Sequence, residues 1–171
     1  HTVKKLDKKL GRLQRCISKK YLKNKAGNKF IKTRNIIKLE HKIKLIHRRI
    51  KNIRENYIHQ ITSHLVKTKP SRIVIEDLNI NGMLKNKHLS KAIAEQCFYK
   101  FISVLGYKCD WNSIELLKAD RFYPSSRKCS CCGSIKKDLK LKDRTYKCKF
   151  CGLVIDRDFN ASLNLANYKL A

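Results

Sequence analysis

The sequence predicts a mixed α/β chain, with a cationic helical hairpin in front, strands and a helix behind it, and a small cysteine-rich module near the end. Three observations carry that prediction. Apolar residues recur at helical spacing over two stretches within residues 1–69. A short β-branched run, "RIVIEDL" (Arg72 to Leu78), follows Pro70. Two CxxC pairs, Cys129 with Cys132 and Cys148 with Cys151, are separated by fifteen residues.

The hairpin comes first. Val3, Leu6, Leu10, Leu13 and Ile17 alternate spacings of three and four, which puts them on one stripe of a helix. "KNKAGNK" (Lys23 to Lys29) interrupts with a glycine and turn-prone asparagines. Ile36, Leu39, Ile43, Ile46, Ile50, Ile53, Tyr57, Ile61 and Leu65 then continue the same rhythm. The two stripes can zip together antiparallel and leave the cations outside.

Pro70 ends the long helix, and "RIVIEDL" reads as a buried strand. "NINGMLKNKH" reads as a loop, and "LSKAIAEQCFYKFISVL" (Leu89 to Leu105) as one helix. "YKCDW" and "IELLKA" read as strands on either side of Asn112-Ser113. From Arg121 a loop leads to the cysteines, and a helix over about Phe159 to Tyr168 closes the chain. The organisation expected is 1–69, 70–123, 124–153 and 154–171.

The doubled CxxC spacing is that of a four-cysteine zinc site. Each knuckle presents two thiolates from one tight turn, and Gly133 and Gly152 relieve the backbone there. "DRTYKC" supplies a strand for the hairpin that joins the knuckles. Four thiolates leave no open position, so Zn2+ here is structural. Cys131 competes for the first knuckle, but Cys129 with Cys132 keeps the regular spacing. Cys16, Cys97 and Cys109 are expected as small buried or half-buried residues. This grouping argues against a secreted disulfide scaffold. The sequon Asn160-Ala161-Ser162 carries no weight in such a chain.

Charge narrows the function classes. Lys and Arg number 41 against 13 acids, a formal net charge of +28. Residues 1–69 hold 22 of the cations and only three acids, Asp7, Glu40 and Glu55. So few acids rule out i,i+4 pairing as the purpose of the cations. Nucleic acid is the partner expected, because each neutralised phosphate releases counterions. No apolar run approaches the ~20 residues of a membrane span, and no lipidation signal is present, so no membrane partner is expected. The first residue is His1 rather than a methionine, which suggests preceding sequence.

Two carboxylate positions stand out. Glu76 and Asp77 end the "IVIED" strand, where α/β sheets display functional groups. Neighbours on a strand point to opposite faces, so only one can face a given site. Asp158 precedes "FNASLNL", where an aspartate can simply cap a helix and meet its dipole.

"IVIEDLNINGM", "LGYK", "RFYPSSRKCSCCG" and "YKCKFCGLVIDRDFNASLNL" together resemble the TnpB (OrfB-type) family of insertion-sequence proteins, over essentially the whole chain. The resemblance implies a partial RNase H-like (RuvC) domain with the basic hairpin inserted in it and a zinc ribbon attached. It implies an RNA-guided DNA endonuclease acting in transposition, with DNA and a guide RNA as partners, in the cytoplasm of a bacterium or archaeon. It also implies that Glu76 and Asp158 ligate catalytic Mg2+, with Asp156 and Arg157 in support. Phosphodiester cleavage of this kind needs hard oxygen ligands that hold the ions about 4 Å apart. The family's site has a third carboxylate, an aspartate on a first strand ahead of the hairpin. No such motif precedes the hairpin here, and Asp7, on a helical stripe, is a poor substitute. A carboxy-terminal fragment or one part of a split protein, inactive alone, is therefore expected, with the missing amino-terminal portion as its partner. The alternative is a non-catalytic basic zinc-ribbon module, such as a repressor or a ribosomal-type protein.

Overall fold

A computed structural model describes residues 2–140 and 142–169. The chain divides into two compact units, the first running to Ile61 and the second starting at Thr62. The first holds helix α1 (Thr2–Lys23), a two-residue-strand hairpin of β1 (Lys25–Ala26) and β2 (Lys29–Phe30), and most of helix α2 (Arg34–Lys67). Leu10 of α1 is buried with Ile46 and Ile50 of α2, and Val3, Leu6, Leu13 and Ile43 pack around them. Gly27, with φ of 58°, allows the sharp reversal between β1 and β2. The hairpin's closed end is tied by Tyr21, whose hydroxyl donates to Glu40, and by Lys32, 2.9 Å from the same carboxylate. These two donors, Tyr21 first, hold Glu40 below the usual carboxylate range.

The apolar stripe of α2 departs from the expected one towards its end. Tyr57 is 63% exposed and Leu65 is also exposed, while Ile58, Thr62 and Val66 are buried. Thr62 and Val66 belong to the second unit, where Val66 is buried with Leu105, Cys109 and Ile114, so the packing of that unit decides which face of the last turns is covered.

The second unit is built on β3 (Arg72–Glu76) and β4 (Glu115–Ala119), which pair in parallel from Arg72 opposite Glu115 to Glu76 opposite Ala119. A parallel pair needs a crossover, and three helices form it. They are α3 (Ile80–Leu84), α4 (Ser90–Gln96) and α5 (Phe98–Trp111). Val66, Leu105, Cys109 and Ile114 form the buried cluster, with Ile73, Ile75, Phe101 and Leu116 packed against it.

Three expectations are corrected here. "NINGMLKNKH" is not all loop, because the Asn79 side chain accepts the Gly82 N–H at 3.0 Å and starts α3. The helix expected over Leu89 to Leu105 is broken at Cys97, whose left-handed backbone (φ 54°) separates α4 from α5. "YKCDW" is not a strand but the last turns of α5. Its alternating pattern is overridden because Leu105 and Cys109, one turn apart, are both fully buried in the cluster.

Beyond β4 come the antiparallel strands β5 (Thr145–Lys147) and β6 (Val154–Asp156), with Tyr146 opposite Ile155. Helix α6 (Arg157–Ala166) follows directly and contacts β3, β5 and β6. Among the described residues, no helix is long and apolar enough to cross a membrane.

Candidate metal centre and carboxylate site

The two knuckles meet. The sulfurs of Cys129, Cys132, Cys148 and Cys151 all lie within 4.8 Å of one another. Cys129 to Cys151 and Cys132 to Cys148 are each 3.6 Å. A tetrahedral zinc with Zn–S bonds of about 2.3 Å sets its sulfurs about 3.8 Å apart, so the donor set and spacing fit structural zinc. Gly133 and Gly152 turn the two knuckles with φ of 76° and 73°.

Hydrogen bonds orient the thiols. The Cys129 N–H donates to the Ser134 carbonyl and the Cys148 N–H to the Leu153 carbonyl, both at 2.8 Å. The Ser134 hydroxyl lies 3.1 Å from the Cys132 sulfur and 3.3 Å from the Cys148 sulfur. The Cys151 N–H and the Ser134 hydroxyl lower the Cys148 thiol to about 6. Cys151 is pushed up to about 12, the lowering effect of the Leu153 N–H being outweighed by desolvation and the other three sulfurs. A bound zinc would resolve that competition by taking all four as thiolates. Cys131 is exposed and outside the cluster. Cys16, expected to be at least half-buried, is exposed on α1; Cys97 is half-buried and Cys109 buried.

Beneath the knuckles Tyr146 is fully buried, and its hydroxyl donates to the Arg127 carbonyl. The segment leading into the first knuckle is held by two buried asparagines one turn apart on α6. Asn160 donates to the Lys128 carbonyl at 2.7 Å and accepts the Ser130 N–H at 3.0 Å. Asn164 donates to the carbonyls of Ser125 and Lys128. Both were missed in the sequence. Their i,i+4 spacing was a signal that two amides share one helix face.

Glu76 lies exposed at the carboxyl end of β3, and its Oε1 accepts the Ser125 hydroxyl at 2.7 Å. Its neighbour Asp77 turns to Arg121, 2.6 Å away. A cavity of about 100 Å³ beside Glu76 is bounded by Asp77, Ala119, Arg121, Tyr123, Ser125 and Leu165, among others. Asp158 sits in the first turn of α6 with its side chain 68% exposed. It pairs with Arg157 at 3.0 Å and with Arg144 at 3.7 Å.

The cap of α6 is not Asp158. Asp156 caps it, its Oδ1 accepting the N–H groups of Asp158 and Phe159 at 2.9 Å each. No hydrogen bond joins Glu76 to Asp158 among the described residues. There the four cysteines form the one group of three or more potential ligands within reach of one another.

Residues 98–165 match the family model described as the Cas12f1-like TNB domain. The chain is 36% identical, over 163 residues, to an inferred RNA-guided DNA endonuclease of Streptomyces pristinaespiralis, covering 95% of this chain and 38% of that protein. It is 30% identical over 160 residues to the TnpB-like protein L79 of Acanthamoeba polyphaga mimivirus, covering 85% of this chain and 29% of that one. Its fold is shared with Cas12f1 as solved by cryo-electron microscopy with sgRNA and target DNA. That likeness has a TM-score of 0.59 at 22% identity and covers 80% of this chain and 40% of that one. The chain thus spans well under half the length of the relatives it matches. By sequence and domain match it belongs to the TnpB/Cas12f-like proteins, its residues 98–165 corresponding to their carboxy-terminal TNB zinc-finger region.

Proposed function

We propose that this chain supplies the RuvC-like nuclease and zinc-ribbon portion of an RNA-guided DNA endonuclease acting in transposition. The observation that carries the reading is the placement of Glu76 at the carboxyl end of a parallel strand, with α6 packed on that strand and Asp158 in its first turn. In this reading residues 70–123 and 154–171 form the partial RNase H-like domain, 1–69 its inserted basic hairpin, and 124–153 the zinc ribbon. Zinc held by Cys129, Cys132, Cys148 and Cys151 is structural and keeps α6 and the segment before the knuckle in register. DNA and a guide RNA are the partners, supported by the net charge of +28 and by the nucleic acids bound in the related complex.

Glu76 and Asp158 are the carboxylates that would hold Mg2+, and hard oxygen donors at an exposed strand end suit that ion. Bound there, it would stabilise the attacking and leaving oxygens of a phosphodiester. The Ser125 hydroxyl fixes the Glu76 rotamer through Oε1. Arg144 and Arg157 hold Asp158 until metal or phosphate competes for them. Two carboxylates make a weak site, so the chain by itself binds nucleic acid and cuts it poorly.

Iron-directed backbone cleavage tests the shared site. With Fe2+ in place of Mg2+, ascorbate and peroxide should cut the zinc-loaded chain near both residue 76 and residue 158, and Glu76→Gln should suppress both cuts. The ion pairs of Asp158 favour the alternative, a non-catalytic basic zinc-ribbon module. Cuts at neither position, or at one with no effect of E76Q on it, would establish that alternative.

A further inference from the structure

The loop between β4 and the first knuckle has two sides. One side serves Glu76: Arg121 pairs with Asp77, and Ser125 donates to Glu76. The other side opens into a separate cavity of about 500 Å³, bounded by Asp120, Phe122, Tyr123, Lys128, Asn167, Tyr168 and Lys169. That volume lies within the range of small-ligand sites.

The cavity holds an unusual set of groups. Phe122 is 87% exposed, although its backbone is fixed by an N–H bond to the Asp120 carboxylate at 2.7 Å. Its exposed phenyl ring offers an open face on which a planar group can stack. The rings of Tyr123 and Tyr168 meet edge to face with centroids 4.9 Å apart. Tyr123 is anchored through its hydroxyl to the Asn164 carbonyl, and Tyr168 accepts the Asp120 N–H. Lys128 lies 5.8 Å from the Tyr123 centroid, and Lys169 adds a second cation. The exposed Asn167 contributes an amide able to both donate and accept. Aromatic faces, an amide and flanking ammonium groups match the chemistry of an unpaired nucleobase with its adjoining phosphates.

We infer that this cavity holds one unpaired nucleotide of a single strand, its base stacked on Phe122 and its phosphates beside Lys128 and Lys169. Asp120 and Tyr123 border both this cavity and the smaller one at Glu76. A strand seated by its base here runs its backbone towards Glu76, so the cavity positions the strand for the proposed nuclease site. The inference rests on that reading for its partner.

Binding of fluorescent single-stranded DNA, single-stranded RNA and duplex DNA to the zinc-loaded chain tests it, each over a range of salt. Phe122→Ala should weaken single-strand binding by about tenfold. It should leave both the salt slope and duplex binding unchanged, and Phe122→Trp should restore the affinity. Lys128→Gln with Lys169→Gln should flatten the salt slope of single-strand binding instead, by up to about 1.4. The arm affected more, DNA or RNA, identifies the strand. An equal loss on duplex and single strands, or none on either single strand, overturns the inference while leaving the proposed function standing. A chain that binds no nucleic acid at all overturns both.

Discussion

Asp156 and Asp158 are two residues apart and serve different ends. Asp156 spends one oxygen on two backbone N–H groups of α6, whereas Asp158 is exposed and faces arginines. Asp156→Ala should therefore cost about 1 kcal/mol, the usual value of a missing cap. Asp158→Asn should leave the melting temperature within about 2 °C, since exposed ion pairs contribute little. Calorimetric melting of the two variants separates the roles, and reversed sensitivities would return Asp158 to a capping role. At this scale the meeting of the four cysteines was legible because CxxC spacing encodes the knuckle. The capping residue was not, because either aspartate could precede the helix and only the backbone angles of Asp156 choose. Asn160 lay inside a recognised motif, but its use was hidden because its partners, Lys128 and Ser130, are some thirty residues away. Asn160→Ala leaves the part-buried Ser130 N–H without that acceptor and the Lys128 carbonyl with one donor fewer. It should cost about 1–3 kcal/mol in the same melts.

Among the elements, the cysteine module depends on burying Tyr146 with Cys129 and Cys148 of the knuckles, among Leu139, Leu153 and Ile155. Burial first, then the surrounding cysteine sulfurs, push the Tyr146 phenol up to about 12 from its ordinary 10.0. A raised value means that folding favours the neutral phenol. Its stabilising contribution is thus complete below pH 10 and is lost as pH rises through about 12. In an alkaline titration followed at the tyrosinate absorbance, two of the seven tyrosines should ionise late, Tyr21 through its bond to Glu40 and Tyr146 through burial, and only the Tyr146 step should release the module's structure. Tyr146→Phe should remove that late step. The elements read correctly from sequence were those with one dominant signal, such as β3 with its β-branched run or α1 with its 3–4 stripe. The end of α5 was misread because "YKCDW" alternates locally like a strand. What decides is that Cys109 is buried in one cluster with Val66, a residue of α2 that a local window does not contain. The break at Cys97 was likewise invisible, since nothing in the residue type announces a positive φ.

The charge distribution belongs to the whole molecule and was fully legible, because it needs no geometry. What the structure adds is which cations share a face. Lys8, Arg12, Arg15 and Lys19 of α1 are exposed at spacings of four, three and four, with Asp7 as the helix's sole acid. They line one shallow groove along the helix. Like charges at i,i+4 repel, so this row weakens the isolated helix by a few tenths of a kcal/mol per pair. A polyanion backbone lying along the row would relieve that repulsion. Replacing all four by Gln should leave the thermal midpoint unchanged or slightly raised. If the row tracks duplex DNA, the slope of log affinity against log salt should become shallower by about 3.6, at about 0.9 for each phosphate that is no longer neutralised. A solvated face with no partner predicts the same thermal result but an unchanged slope, so salt-dependent binding separates the two readings. The weakening should also be uniform across DNA sequences, because cations that meet only phosphates read no base information. A sequence-dependent weakening would instead place α1 in a groove, reading base edges.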